Sequence, residues 1–379
     1  MENCFTDVHA VEVRRILTMN KDEFMSTDNV KVSAILPVYN IAKYLEDAVS
    51  SLLKQTYTNI EIIIIDDGST DGSVEIGRKL AEENERVQFV AQANAGAASA
   101  RNNGMNLASG KYLYFMDPDD VMGVNYIHEL VASAEKNKSQ LVIAGFTNVF
   151  DDGNKVIKTT VTSPENNYTQ NEWRAAAVKY LNNTQLAVPW NKLYLKSFIL
   201  EKDLKFPSVK WDDLHFNLDV IKDVENVSVV SNAEYFYLRE RPGSETASVF
   251  DNRLFSTRKD QFTHALEVFK SWDATLENSR NGLGYYFSSR VLQIVQEISG
   301  ADSLSWQQKK EEASTVLNDP LTKWSFINSK GKSGILRVLQ TPLKNRQVVL
   351  SLVMGKFIRI FTHLAGGFFQ KLRVKVMKV

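Results

Sequence analysis

Three acidic groups in this chain have the composition and placement of working carboxylates. Asp117-Pro118-Asp119-Asp120 follows the apolar run 112–116, and Asp66-Asp67-Gly68-Ser69 follows the run 60–65. Carboxylates clustered at a strand end repel one another unless a cation neutralises them, and an all-oxygen set favours Mg²⁺ or Mn²⁺. Such a cation bridges carboxylate to phosphate and stabilises the charge of a departing phosphate. The third group, Asp212-Asp213, opens a helical stretch running to Ile221. A carboxylate there can take the proton of an attacking hydroxyl. His215 competes for that role, because imidazole titrates near neutrality. Arg101, near the start of the helix after Asn94-Ala95-Gly96, adds a guanidinium to helix-start N–H groups, an anion site.

Such residues need a scaffold that gathers strand ends. Residues 32–36, 60–65, 87–90, 112–116 and 141–149 read as strands, and 60–65 is the continuous apolar run of a strand buried on both faces of a parallel sheet. Amphipathic stretches near 44–55, 73–83, from 97 and near 126–138 predict the intervening helices. Residues 151–167, polar and carrying Asp152-Gly153, predict a hairpin or loop. The alternation predicts an α/β nucleotide-binding domain whose ligand sits beyond the carboxyl ends of the strands. Acidic clusters at that edge fit a metal-dependent enzyme for a sugar nucleotide. The bland reading is that these aspartates cap helices and turns.

The order of motifs carries a resemblance. Pro37-Val38-Tyr39-Asn40, the Asp66–Asp71 turn, Ala100-Arg101-Asn102, Asp117–Asp120, Trp190-Asn191-Lys192-Leu193-Tyr194, Asp212-Asp213 and Arg241-Pro242-Gly243-Ser244 stand in register over rather more than half the chain. Together they resemble the family-2 glycosyltransferases, inverting enzymes with a GT-A (Rossmann-like) fold. The resemblance implies that Pro37, Val38, Tyr39 and Asp67 hold the nucleoside, with Arg101 near the uracil or diphosphate. A carboxylate can accept from the imide N–H of uracil, whereas adenine presents no such donor. It also implies Asp119 as direct metal ligand, Asp117 on ribose or a metal-bound water, Arg241 in a basic loop over the diphosphate, and Asp213 as base. Asp212 departs from the pattern, since Asp replaces the usual Glu. Trp190 and Asn191, placed before a helix, match a segment lining the acceptor cleft, although an aromatic here could equally be core.

Composition bounds the rest. The 379 residues suffice for one large domain and an appendage: an extension at 1–29, a GT-A domain at 30–250 and a helical region at 251–379. A single cysteine, Cys4, excludes a disulfide framework and suits the reducing cytosol. The first ten residues carry no apolar run of a secretory signal, and no stretch reaches the roughly 18 apolar residues of a spanning helix. Net charge is zero, yet no Asp or Glu follows Asp319, while twelve Lys and Arg lie between Lys323 and Lys378. Polar or small residues at Ser351, Gly355, Lys356, Arg359, Thr362, His363, Gly366 and Gln370 form one helical stripe beside a wide apolar face. That pattern predicts an interfacial helix at an anionic membrane, peripheral on the cytoplasmic side; the rival is packing on the catalytic domain or a second subunit. The expected partners are a nucleotide-sugar donor and a glycan or lipid-linked acceptor in cell-envelope polysaccharide synthesis, with no nucleic acid. A nucleotidyltransferase and a non-catalytic sugar-nucleotide-binding subunit are the alternatives.

Overall fold

The computed structural model describes residues 30–151, 156–239, 251–329 and 334–364. The chain divides into two compact units, Met1–Trp173 with Gln185–Arg239, and Arg174–Thr184 with Glu240–Val379. The second takes in a piece of helix that the sequence reading places in the nucleotide-binding domain.

The first unit begins β1 (Val32–Val38), α1 (Ala42–Leu53), β2 (Ile60–Asp66), α2 (Ser73–Glu83), β3 (Val87–Ala91), α3 (Ala97–Leu107), β4 (Tyr112–Phe115). It continues β5 (Val121–Met122), α4 (Tyr126–Asn137), β6 (Leu141–Ile143), β7 (Phe146–Asp151), β8 (Val156–Val161), β9 (Asn166–Thr169) and α5 (Gln170–Asn182), which passes into the second unit at Arg174. Then come β10 (Lys192–Leu195), α6 (Lys196–Glu201), α7 (Asp212–Asp223), β11 (Asn226–Val229) and β12 (Tyr235–Arg239). The main sheet runs β3-β2-β1-β4-β10-β6-β11-β9. β1 pairs in parallel with β2 and β4, and all seven of its residues are buried, which explains its unbroken apolar sequence. The sheet is mixed rather than all parallel, because β10 runs antiparallel to both β4 and β6.

The expected single strand at 141–149 is two strands in different sheets. β7 joins β5, β12 and β8 in a second sheet, and the chain changes sheets across Ala144-Gly145. Gly145 is needed there: a Cβ would lie 2.7 Å from the Val161 carbonyl oxygen. The segment read as a hairpin or loop returns as β8, antiparallel to β7.

In the second unit, the described residues after Asp251 fold as α8 (Leu254–Trp272), α9 (Arg280–Gly300), α10 (Trp306–Asn318), α11 (Pro320–Asn328), α12 (Gly334–Lys344) and α13 (Val348–Leu364). α9 is the hub and packs against all five others. Phe287 of α9 stacks on Phe262 of α8 at 4.2 Å. Asp319 caps α11 through Leu321 N at 2.8 Å, with Pro320 at the first helical position.

α13 corrects the expected orientation of its stripe. Ser351 and Gly355 are buried rather than hydrated, and a Cβ on Gly355 would lie 3.1 Å from the Val295 carbonyl oxygen of α9. Small residues let the two helices approach closely, so this part of the polar stripe faces protein together with Leu352 and Ile358. Gly366 and Gln370 lie outside the described residues. Among the described residues, no helix is long and apolar enough to cross a membrane.

Candidate active site

The carboxyl ends of the parallel strands β1, β2 and β4 bring Tyr39, Asp67 and Asp117 to one edge of the main sheet. Tyr39 presents its ring, 54% exposed, whereas Pro37 and Val38 are buried in β1. Asn40, at φ 49°, ties this edge to the neighbouring turn: its N–H donates to Ser69 Oγ at 3.0 Å, and its Oδ1 accepts from Thr70 N at 2.8 Å. Asp66 Oδ2 accepts from Gly68 N and Ser69 N, each at 3.1 Å. Asp67 is buried, and both its oxygens are engaged: Oδ1 by Gln92 Nε2 (2.8 Å) and Ala95 N (2.9 Å), Oδ2 by Gly96 N (2.8 Å). In this conformation Asp67 fastens the loop that leads into α3. Gly68, at φ +79°, lets that loop close in, since a Cβ would sit 3.2 Å from Asn94 N.

Arg101 lies on the first turns of α3 and is buried. Its guanidinium reaches three carboxylates: Asp117 Oδ1 at 3.2 Å, Asp212 Oδ2 at 3.2 Å and Asp213 Oδ1 at 3.0 Å. Arg101 is thus held in a buried cluster of one guanidinium and three carboxylates. Burial alone would lower the guanidinium pKa, but Asp213, Asp117 and Asp212 outweigh it and leave it raised. The planar fork suits several carboxylates in a way that a lysine point charge does not. Beneath it lies an aromatic group: Arg101 sits 5.2 Å over the Phe206 ring, which stacks on Phe216 at 3.9 Å and meets Phe115 edge-on at 4.9 Å. Asn102 fixes Phe206 by a reciprocal pair, Nδ2 to Phe206 O (2.8 Å) and Phe206 N to Oδ1 (2.9 Å).

Asp212 and Asp213 occupy the first turn of α7, and neither side chain caps it; the cap position is Trp211, at φ 58°. The helix start favours negative charge there. Asp213 is nevertheless pushed up to about 7, first by burial and then by Asp212 and Asp117, with Arg101 and Lys192 opposing. Its Oδ1 is buried against Arg101, while the side chain as a whole keeps 29% exposure. A carboxyl in this state can take up a proton near neutral pH. Asp212 is also raised, by burial against the pull of Arg101. His215 lies on the same helix, partly exposed.

At the end of β4, Asp117, Asp119 and Asp120 bring carboxylate oxygens within 4.8 Å of one another. Asp120 is fully buried and braces β12, accepting from Tyr235 Oη at 2.7 Å and Leu238 N at 2.9 Å. Burial, then Asp119 and Asp117, drive its pKa well above the usual carboxylate range. Three hard oxygen donors that repel one another fit a divalent cation of the Mg²⁺ or Mn²⁺ type.

The residues expected on the acceptor wall are elsewhere. Trp190 is 2% exposed, stacked on Tyr235 at 4.4 Å and edge-on to Phe146 at 4.8 Å, so it belongs to the core. Asn191 is fully buried, donating to Ala144 O (2.9 Å) and Gln185 O (3.1 Å), and it precedes a strand, not a helix. Lys192, which the sequence reading gave no role, is also fully buried. Its Nζ donates to Gln185 O, Asn191 Oδ1 and Val188 O, and burial holds its pKa well below the usual lysine range despite Asp213. These three residues stitch the 185–191 loop to the sheet. Trp190→Ala is expected to cost about 3–5 kcal/mol, read as a lower urea midpoint. Unchanged stability with a raised acceptor KM would return Trp190 to the cleft. Arg241 and Ser244 lie outside the described residues, as does the side chain of Arg239.

Residues 33–199 match the family model described as Glycosyl transferase family 2. The cholesterol galactosyltransferase of Borreliella burgdorferi is 30% identical over 299 residues, covering 76% of this chain and 83% of that protein. The chain belongs to the family-2 glycosyltransferases. The uncharacterized glycosyltransferase EpsJ of Bacillus subtilis is 31% identical over 228 residues and 57% of this chain. The chain spans 62% of the length of EpsJ. The GT-A fold of the family agrees with a structure of Staphylococcus aureus TarS residues 1–349 in complex with UDP-GlcNAc, at TM-score 0.63 and 18% identity, covering 87% of this chain and 91% of that one.

Proposed function

We propose that this protein is an inverting glycosyltransferase that moves a sugar from a UDP-sugar to a hydroxyl of a glycan or lipid-linked acceptor. The observation that carries the reading is the Arg101 cluster, in which one buried guanidinium contacts Asp117 at the end of β4 and Asp213 at the start of α7. A donor-holding carboxylate and a proton-accepting carboxylate are thereby tied to a common centre, at 3.2 and 3.0 Å from one guanidinium. Asp213 takes the acceptor O–H proton as oxygen attacks the anomeric carbon. The bond to the diphosphate breaks with its electron pair leaving on oxygen, and a single displacement inverts the configuration. Asp119 and Asp117 would hold a divalent cation, which when bound supplies charge stabilisation to the leaving diphosphate. Tyr39 offers a ring face to the base, and Arg241 a second cation for the diphosphate.

The setting proposed is cell-envelope polysaccharide synthesis at the inner face of the cell membrane. The basic tail without acids supports it, as does a relative named for a membrane-lipid acceptor. The test is a panel of nucleotide sugars assayed for release of nucleoside diphosphate with Mg²⁺ or Mn²⁺. Metal-dependent release of UDP from one UDP-sugar is the expected result. Pyrophosphate release from a nucleoside triphosphate, or binding of the sugar nucleotides with no turnover, would replace the proposal with a nucleotidyltransferase or a binding subunit.

A further inference from the structure

The two faces of α13 are both apolar, and among the described residues one is buried and the other exposed. Ser351, Leu352, Gly355 and Ile358 are buried. Val349, Leu350, Val353, Phe357 and Ile360 are exposed, each by about half or more of its surface. At the α-helical rotation these five side chains fall within about 100° of arc, opposite the buried set. A contiguous apolar stripe of this kind on a folded surface marks an interaction site rather than scattered surface residues. Within the same unit, the large exposed aromatic of the stripe is Phe357, at 65%.

The charge around the stripe identifies its partner. Lys344 and Arg346 stand exposed just before the helix, and Lys356 and Arg359 are exposed on it. Arg359 reaches Glu297 of α9 at 3.4 Å, an acid that lies on the neighbouring helix and not on α13. No Asp or Glu occurs in the sequence after Asp319, against twelve Lys and Arg. A second copy docked through the same patch would set these cations against themselves, since a two-fold interface brings a surface onto its own image. An anionic lipid surface is complementary in both respects: it neutralises the basic rim and takes up the apolar stripe.

We infer that the outer face of α13 is the membrane-docking surface, with Val349, Val353, Phe357 and Ile360 entering the headgroup boundary of an anionic bilayer and Lys356 lying against its phosphates. The inference rests on the membrane-side reading of the function and gives it a defined face. It also inverts the sequence expectation in part, because Ser351 and Gly355, expected on the hydrated side, hold the helix to its own unit and leave the opposite side exposed.

The test is flotation of the full chain with vesicles of phosphatidylcholine alone and of phosphatidylcholine with phosphatidylserine, beside the double variant Val353→Ser, Phe357→Ser. The full chain is expected to float with the anionic vesicles, and the variant to lose about tenfold or more in partitioning. Both changes are on exposed positions, so circular dichroism and elution volume should be unchanged. Salt at about 1 M should weaken flotation without abolishing it, since screening removes the charge contribution and leaves apolar burial. No flotation of the full chain at low salt, or equal flotation of the variant, overturns the inference. So does a wild-type oligomer that the variant dissociates while flotation is unchanged, because the stripe is then a subunit contact. UDP release measured on the same two proteins separates the readings: release without flotation defeats the docking face alone, and flotation without release defeats the transferase reading alone.

Discussion

Asp213→Asn is expected to keep donor binding and to lose about 10²–10⁴-fold in transfer. Asn preserves the shape and the contact with Arg101 but cannot accept the acceptor proton. Arg101 keeps Asp117 and Asp212 as partners at 3.2 Å, so the cluster retains two of its three ion pairs. A calorimetric titration with UDP and metal should give an affinity close to that of the wild type. The burden of proof then falls on His215, the other base on the same helix. Normal transfer in Asp213→Asn together with loss in His215→Ala would move the role to His215.

The same substitution makes a stability prediction of definite sign. The folded pKa of Asp213 is raised to about 7, above the value of an unfolded aspartate. Between those two values the unfolded chain binds fewer protons than the native one, so this group lowers native stability as pH rises from about 4 to about 7. Above that window its contribution is constant and unfavourable. Asn has no such penalty. In metal-free protein at pH 8, Asp213→Asn should therefore melt at or above the wild-type temperature, a gain in stability at the expense of activity. A melting temperature several degrees lower would mean that Asp213 is needed to hold Arg101, and that the cluster is primarily structural.

Part of this site is written locally in the chain and part is not. The strand ends are legible because β1, β2 and β4 are short apolar runs that stop at Tyr39, Asp67 and Asp117, so sequence adjacency and spatial position coincide. The hairpin or loop at 151–167 is legible from its polar residues and Asp152-Gly153, and β8 there pairs antiparallel with β7. The Arg101 cluster is not, because its partners stand 16 and 111 residues away in sequence. Only the tertiary fold, in which α3 packs on β1 and β2, brings them together. Trp190 shows the limit of residue type as a signal: an indole stacks on a sugar or on Tyr235 with the same chemistry, and burial decides between them. Lys192 stands in a family segment, but nothing local to it shows its role, because the carbonyls of Gln185 and Val188 gather around it only in the fold. The sheet switch at Ala144-Gly145 is hidden because both halves are apolar and the glycine reads as a weak interruption.

Asp119→Ala is expected to abolish metal-dependent UDP binding without unfolding the protein. Of the three carboxylates at the end of β4, Asp120 is committed to Tyr235 and Leu238, and Asp117 shares Oδ1 with Arg101. Asp119, the direct ligand that the family pattern implies and one of the three clustered carboxylates, is the one whose loss should matter most for the cation, with Asp117 as its companion. Wild-type protein should be stabilised by Mn²⁺ or Mg²⁺ with UDP, by roughly 2.7 kcal/mol when ligand stands at about a hundred times its dissociation constant. The variant should show no such shift in melting temperature. In chelator its stability should equal or exceed that of the wild type, because removing one of the clustered carboxylates relieves repulsion that adds to burial in raising the pKa of Asp120. This readout is independent of turnover, so it separates loss of the cation from damage to the base. A variant that still gains stability from Mn²⁺ and UDP to the wild-type extent would show that the cation, if one binds, is held by other ligands. Wild-type transfer at full rate in excess chelator would remove the metal from the reaction and leave charge stabilisation of the leaving diphosphate to the chain's own cations.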